Sequence, residues 1–329
     1  MYSAKVFKSV KFKLPVISIG NITVGGTGKT PHTEYLIRLL KNDYNLAFLS
    51  RGYKRKSDGF ILADDNASAR IIGDEPFQVK RKFSDISVAV GKDRVKGIKM
   101  LIEKVPGTEI IVLDDAFQHR KVSPGLNILL IDYNKPINSD YLLPYGYLRE
   151  PASQKKRADI IIVTKIPENI TDKDKELFIN AIGLNSNQFV YFTSIIYGQP
   201  LPVFDQIEKE SFINFVDANL SILLISGIAN PKPMITKLSQ RYKSVITITY
   251  PDHYSYCQND ITDIIRQYNL IPGTNKVIIT TEKDAVRLLP FNSLENIPEA
   301  WYYIPIEVRF NSDETVLFNN QIFNYVNKN

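Results

Sequence analysis

The 329-residue chain is 44% hydrophobic with a mean hydropathy of -0.15, values of a water-compatible globular protein long enough for two separate cores. A net charge of +6 favours anionic partners without naming them, while a single cysteine, Cys257, excludes an internal disulfide and fits a reducing compartment. No apolar run nears the roughly 18 residues a membrane span requires, and the lysine-rich N-terminus lacks the continuous apolar stretch of a secretory signal.

Short apolar runs alternate with helical stretches through the first half: PVISIG (15–20), NLAFLS (45–50), ISVAVG (86–91), IIVLDD (110–115), NILLID (127–132) and DIIIVTK (159–165). Between the first two, HTEYLIRLLK places Tyr35, Leu36, Leu39 and Leu40 on one helical face. Strands apolar throughout and joined by helices predict an α/β fold with a mostly parallel sheet covered on both sides. A smaller alternation follows in SILLISGI (221–228), VITITY (245–250) and KVIITTEKDAVRLL (276–289). FVYFTSIIYGQPL (189–201) and WYYIPIEVRF (301–310) bracket it, and they read as two hinge strands entering and leaving a second domain. The expected partition is a core domain over 1–190 and a smaller α/β domain over 191–329. Lys54-Arg55-Lys56, Lys80-Arg81-Lys82 and Lys155-Lys156-Arg157 read as solvated faces, with an anionic membrane surface or a phosphorylated substrate as the alternative. No nucleic-acid recognition motif accompanies them, and no obligate protein partner is evident.

The chemistry concentrates after the strands. TVGGTGKT (Thr23, Val24, Gly25, Gly26, Thr27, Gly28, Lys29, Thr30) follows the first apolar run and opens a helix, the pattern of a phosphate-gripping loop of the P-loop type. Thr23 stands where the first glycine of the pattern usually sits, and Gly25 and Gly26 supply the backbone freedom. Lys29 reaches for β- and γ-phosphates and the Thr30 hydroxyl for the magnesium that bridges them, which makes ATP and Mg2+ the expected cofactors. IIVLDD delivers Asp114 and Asp115 to the sheet edge, where either carboxylate suits magnesium; a helix cap is the structural alternative. GDEP (73–76) puts Asp74 and Glu75 at a turn, as helix-opening acids or as one metal ligand and one group for the incoming nucleophile. With water also a possible nucleophile, kinase and NTPase both stay open. His253 in PDHYSY follows an expected strand end, and His119 in DDAFQHR either positions the acidic pair, touches substrate, caps or packs. His32 caps or packs in the helix after the loop. Arg149 in LLPYGYLREP and Arg94 in VGKDR are each a phosphate ligand or a local partner of an acid.

Together these blocks resemble the tetraacyldisaccharide 4′-kinase family. The resemblance is carried by PVISIGNITVGGTGKTP (15–31), SRGYKR (50–55), GDEP, VGKDR (90–94), DDAFQHR (114–120), LLPYGYLREP (142–151), SGIANP (226–231), PDHY (251–254) and TEKDAV (281–286), in family order. It implies ATP-dependent phosphorylation of the 4′-hydroxyl of an acylated glucosamine disaccharide 1-phosphate, giving lipid IVA in lipid A synthesis. It also implies a cytoplasmic protein, peripheral on the cytoplasmic face of the inner membrane. By the same resemblance Asp74 and His253 form a catalytic pair, and Lys29, Thr30, Glu75, Asp114 and Asp115 serve nucleotide and metal. Two α/β/α domains joined by a two-stranded linker are the implied fold. Ala116 departs from the family's usual glycine, which is tolerable if its φ is negative. The chain also starts about where the family's amphipathic, membrane-seated helix is ending, which implies a shortened chain or a weaker attachment; Tyr2, Val6, Val10 and Leu14 still trace an apolar stripe. A P-loop NTPase driving a binding switch such as metal delivery is the competing reading, and it calls for a Cys- or His-rich cargo site that one cysteine and three scattered histidines do not offer.

Overall fold

The computed structural model describes residues 8–204, 215–292, 294, 297–298 and 300–328. The chain divides into two compact units, one of residues 1–196 with 307–329 and one of residues 197–306. In the first, β1 (Val16–Gly20), β2 (Leu46–Ser50), β3 (Ile61–Leu62), β4 (Ser87–Val90), β5 (Ile110–Asp114), β6 (Leu126–Asp132), β7 (Ile160–Thr164) and β8 (Phe189–Tyr197) share a sheet with a late strand. β9 (Leu201–Pro202), β10 (Ser221–Ser226), β11 (Ser244–Thr249), β12 (Lys276–Thr281) and β13 (Trp301–Ile304) form the second sheet, and β14 (Ile306–Phe310) returns to the first. The large sheet runs β14-β8-β7-β6-β1-β5-β2-β4-β3, with β1 to β8 parallel except for the antiparallel β3 at the edge.

Alternating residues of the buried strands serve opposite faces. Ile17, Phe48, Ile110 and Val112 join one core with Leu36, Ile37 and Leu40 of α1 (Lys29–Leu40), while Ala47, Leu49, Ile111 and Leu113 pack on the other side. The connecting helices are α2 (Ala69–Ile72), α3 (Asp74–Lys82), α4 (Arg94–Lys104) and α5 (Asp172–Ile182), and Ile98 and Leu101 of α4 cover the second face. The second unit carries α6 (Lys232–Arg241), α7 (Gln258–Leu270) and α8 (Glu282–Leu288) around the order β11-β10-β12-β13-β9. There β10 is paired in parallel with β11 on one side and β12 on the other.

Three expectations differ from what is observed. WYYIPIEVRF is two strands rather than one: β13 pairs with β12 in the small sheet and β14 lies beside β8 in the large one. Pro305 interrupts the run because it has no N–H for a ladder, and its carbonyl instead accepts from Gly198 at 2.8 Å. Residues 307–329 belong to the first unit, not to a second domain beginning at 191, because α9 (Ser312–Asn327) buries Phe318, Ile322 and Val326 in the core of β1 and β5. At the other terminus, Val10 makes a β-bridge to Val122 and Leu14 packs below the sheet, so neither lies on a helical stripe; Tyr2 and Val6 lie outside the described residues.

Candidate active site

β1 and β5 are direct neighbours, with Ile19 opposite Asp114, so the glycine-rich loop and the acidic pair leave the sheet side by side. Local bonds fix the loop. Asn21 Nδ2 donates to Thr27 Oγ1 at 2.8 Å, Thr164 Oγ1 donates to the Thr27 carbonyl at 2.9 Å, and Val24 N donates to the Tyr147 carbonyl at 2.8 Å. Thr23, in the place of the first glycine, is buried and bridges Leu148, while Gly25 and Gly26 stay exposed at the tip. Gly28 caps α1 with φ 89°, a left-handed conformation that a side chain would strain. No acidic residue occupies the first turn of α1, so its N–H groups and positive dipole end remain suited to an anion.

His32 locks that cap from below. Its Nδ1 meets the Gly28 carbonyl at 2.7 Å and its Nε2 meets Thr193 Oγ1 at 2.9 Å. Burial depresses its pKa to about 4, so the ring is neutral at physiological pH.

Asp114 is buried, with Oδ1 3.4 Å from Thr33 Oγ1 and Oδ2 3.3 Å from Ser50 Oγ. Burial, reinforced by the charges of Asp115 and Glu75, pushes its pKa up to about 6. Lys29 and Arg94 oppose the rise without cancelling it. Burial also pushes Asp115 upward, but Lys29 and Arg149 outweigh it and hold that carboxyl below its ordinary value. Lys29 Nζ lies 3.7 Å from Asp115 Oδ1, and Arg149 grips both Asp115 oxygens at 2.9 and 3.3 Å. The left-handed φ of 46° falls on Asp115, not on Ala116, so the alanine sits without backbone strain.

Arg149 also donates to the Asn21 carbonyl at 3.0 Å and to Asn21 Oδ1, and its own N–H bonds the Ile22 carbonyl at 2.7 Å. Thus 142–151 is the outer wall of the phosphate loop. Its tip exposes Leu142, Leu143, Tyr145 and Tyr147, with Tyr141 exposed just before it, and Lys135 lies over the Tyr147 ring. Arg94 points inward instead. At 2% exposure, its guanidinium donates to the Gly91 carbonyl at 2.7 Å and the Asp114 carbonyl at 2.9 Å, while His119 Nε2 accepts from Arg94 N at 3.1 Å. Both residues hold the acidic strand end against the start of α4. At the first turn of α3, Asp74 and Glu75 follow Gly73, whose φ is 95° and whose missing Cβ would stand 3.0 Å from the Tyr53 carbonyl.

Lys29, Asp114, Asp115 and Arg149 are therefore joined in one unit, with Glu75 close enough for its charge to raise Asp114. His253 belongs to the other unit. The supports that pattern reading missed are Asn21, Thr33, Ser50, Gln118 and Thr164. Asn21 stood inside the loop block and was readable there; Thr33, Ser50 and Thr164 are single hydroxyls whose roles arise only from strand order. Gln118 Nε2 completes the set by donating to the Asn21 carbonyl at 2.8 Å.

Among the described residues no three His, Cys, Asp or Glu side chains gather as a ready metal cage. The oxygen donors of Thr30, Asp114, Asp115 and Glu75 fit magnesium shared with phosphates, which takes only one or two carboxylates from a protein. The raised pKa of Asp114 reflects first its burial and then the like charges of Asp115 and Glu75, a cost that a cation would relieve.

A glycine-rich loop at the end of β1 beside an acidic pair at the end of β5 defines a phosphate-loop, nucleotide-binding α/β protein. A family model described as "Tetraacyldisaccharide-1-P 4'-kinase" matches residues 1–324, and the chain belongs to that family. It is 48% identical over 327 residues to the tetraacyldisaccharide 4'-kinase of Phocaeicola vulgatus, covering 98% of this chain and 89% of that one. With the enzyme of the same name from Parabacteroides distasonis it shares 44% identity over 334 residues, covering 99% and 89%. The crystal structure of LpxK from Aquifex aeolicus in complex with ATP is similar with a TM-score of 0.73 and 27% identity, covering 99% of this chain and 92% of that one.

Proposed function

We propose that this chain transfers the γ-phosphoryl group of ATP to the 4′-hydroxyl of a tetraacyldisaccharide 1-phosphate, the lipid A precursor. The observation that carries the reading is Lys29 at 3.7 Å from Asp115, beside the buried Asp114, at the ends of adjacent strands in a member of this kinase family. Family membership favours it over a hydrolysis-driven switch.

The N–H groups of the loop and of α1 bind the phosphates, and Lys29 offsets charge as it spreads over the transferred group. Thr30 and Asp114, with Glu75 and Asp115 nearby, would hold magnesium, which would supply positive charge to the phosphates when bound. Arg149 keeps Asp115 in place by its bidentate grip. Arg94 and His119, which the sequence also offered as substrate ligands, serve by fixing the backbone of Asp114 and α4. Asp74 orients the sugar hydroxyl and takes its proton as the new oxygen–phosphorus bond forms and the bond to ADP breaks. An ordinary aspartate is a weak base for an alcohol, yet phosphoryl transfer is largely dissociative, so orientation outweighs early deprotonation. His253, the other residue that the resemblance assigns to the reaction, belongs to the second unit. The acyl chains keep the enzyme at an anionic membrane surface; among the described residues no helix is long and apolar enough to cross one.

Asp74→Ala and His253→Ala should each lower kcat roughly a hundred- to ten-thousandfold with little change in ATP binding. The double variant should be little worse than the poorer single one, because residues acting as a unit are non-additive. Fully multiplicative losses would separate the two residues.

A further inference from the structure

Two sequence blocks, SGIANP and TEKDAV, have no role in the mechanism above, yet the second unit brings them to His253. Gly227 follows β10, His253 follows β11, and Asp284 and Arg287 lie on α8 directly after β12. All three strands are parallel, so their carboxyl ends open on one edge, where such sheets carry chemistry.

Asp284 is fully buried and completely engaged. Its Oδ2 accepts from Gly227 N at 2.8 Å and Thr281 Oγ1 at 2.6 Å, and its Oδ1 accepts from Arg287 Nη1 at 2.8 Å. Arg287 Nη1 also donates to the Gly227 carbonyl at 2.8 Å, and Nη2 stands 3.2 Å from His253 Nδ1. The histidine backbone is pinned as well: its N–H donates to the Gly227 carbonyl at 3.1 Å, and its φ is 60°.

A guanidinium has donors only. At 3.2 Å the His253 Nδ1 must therefore be the acceptor, which puts the ring proton on Nε2. A carboxylate held at the core, a guanidinium locked to it, and an imidazole at the rim form a chain in which the guanidinium donates both ways, inward to Asp284 and outward to His253. We propose that Asp284 and Arg287 are positioning residues that fix His253 as the neutral Nε2–H tautomer. His253 then acts as a hydrogen-bond donor and not as a base, since a proton on Nδ1 would confront the Arg287 guanidinium. Acceptance of the hydroxyl proton falls to Asp74. This assignment of roles rests on the reading of His253 as a residue of the kinase reaction; the tautomer itself does not.

The full chain labelled with 15N-histidine tests both parts, and three histidines keep the spectrum assignable against His253→Gln. In its neutral form, wild-type His253 should show a bare Nδ1 and a protonated Nε2. Arg287→Met should mix the two tautomers and lower kcat by roughly ten- to a hundredfold with KM for ATP unchanged, as loss of an outer partner does elsewhere. Arg287→Lys, which keeps a cationic donor, should recover part of both. A wild-type His253 protonated on Nδ1 overturns the proposal without any variant, which matters if Arg287→Met strands Asp284 and fails to fold. So does an Arg287→Met protein that is folded but keeps both tautomer and kcat. If His253→Ala retains full turnover, the kinase role of His253 falls instead, and the tautomer measurement still decides the positioning.

Discussion

Asp114 and Asp115 are chemically identical neighbours that the structure makes unequal. One is buried among other acids and pushed up to about 6, and the other is held down by Lys29 and Arg149. Nothing in the string DD distinguishes them, because the difference comes from burial and from Lys29 and Arg149, which are remote in sequence. Lys29→Ala and Asp114→Ala should each cut turnover about a hundredfold or more, with melting transitions that still report a folded protein. Unchanged turnover in either folded variant sinks the nucleotide-site assignment. His119 gives a second test. Half-burial, with Arg94 next, lowers its pKa from 6.5, and its neutral Nε2 accepts the Arg94 N–H. Below pH 6.5 the unfolded chain takes up a proton that the folded chain resists, so this contribution is full above that value and drains as pH falls through the lowered folded pKa. Glutamine keeps an acceptor but does not titrate. The stability gap between wild type and His119→Gln, measured by urea unfolding, should therefore move against the wild type on acidification. A gap independent of pH would show that His119 is not the titrating cap.

Among the elements, α3 shows how a turn positions chemistry. Gly73 has φ 95° and lies where a Cβ would press on the Tyr53 carbonyl, so the chain can enter α3 with Asp74 and Glu75 in its first turn. Gly73→Ala should cost about 1–3 kcal/mol of stability and lower turnover by displacing Asp74. A variant as stable and as active as the wild type would refute that dependence. The same logic explains which elements could be read in advance. β1, β2, β5, β6 and β7 are fully buried and mostly apolar, and α1 carries a clear apolar face. β3 has two residues and α9 follows a strand run without a glycine stop, so neither left a periodic signal.

For the molecule as a whole, basic and aromatic surface coexist. Tyr145 at the tip of 142–151 is 92% exposed and Tyr141 just before it 72% exposed, rings of the kind favoured where one end is apolar and the other wet. Each methylene withdrawn from a bilayer costs about 0.8 kcal/mol, so the proposed reading on an acylated substrate predicts work at a membrane surface. Flotation with anionic vesicles should show binding that weakens as salt is added. Binding of equal strength to neutral vesicles at every salt concentration would remove the electrostatic contribution.

Sequence alone determined the alternation of buried strands and helices, the phosphate loop and the acidic strand end. Each of these is written in contiguous residues whose spacing follows from backbone geometry. It also carried the family, through short blocks kept in order along the chain. Tertiary structure decided what depends on partners far apart in sequence: Arg94 turned inward onto Gly91 and Asp114, Arg149 clasped to Asp115, and Arg287 set against His253. It also decided that the final helix returns to the first core, since its apolar residues fill a face of the large sheet. Burial and charge are sums over neighbours in space, and the chain order does not contain them until it is folded.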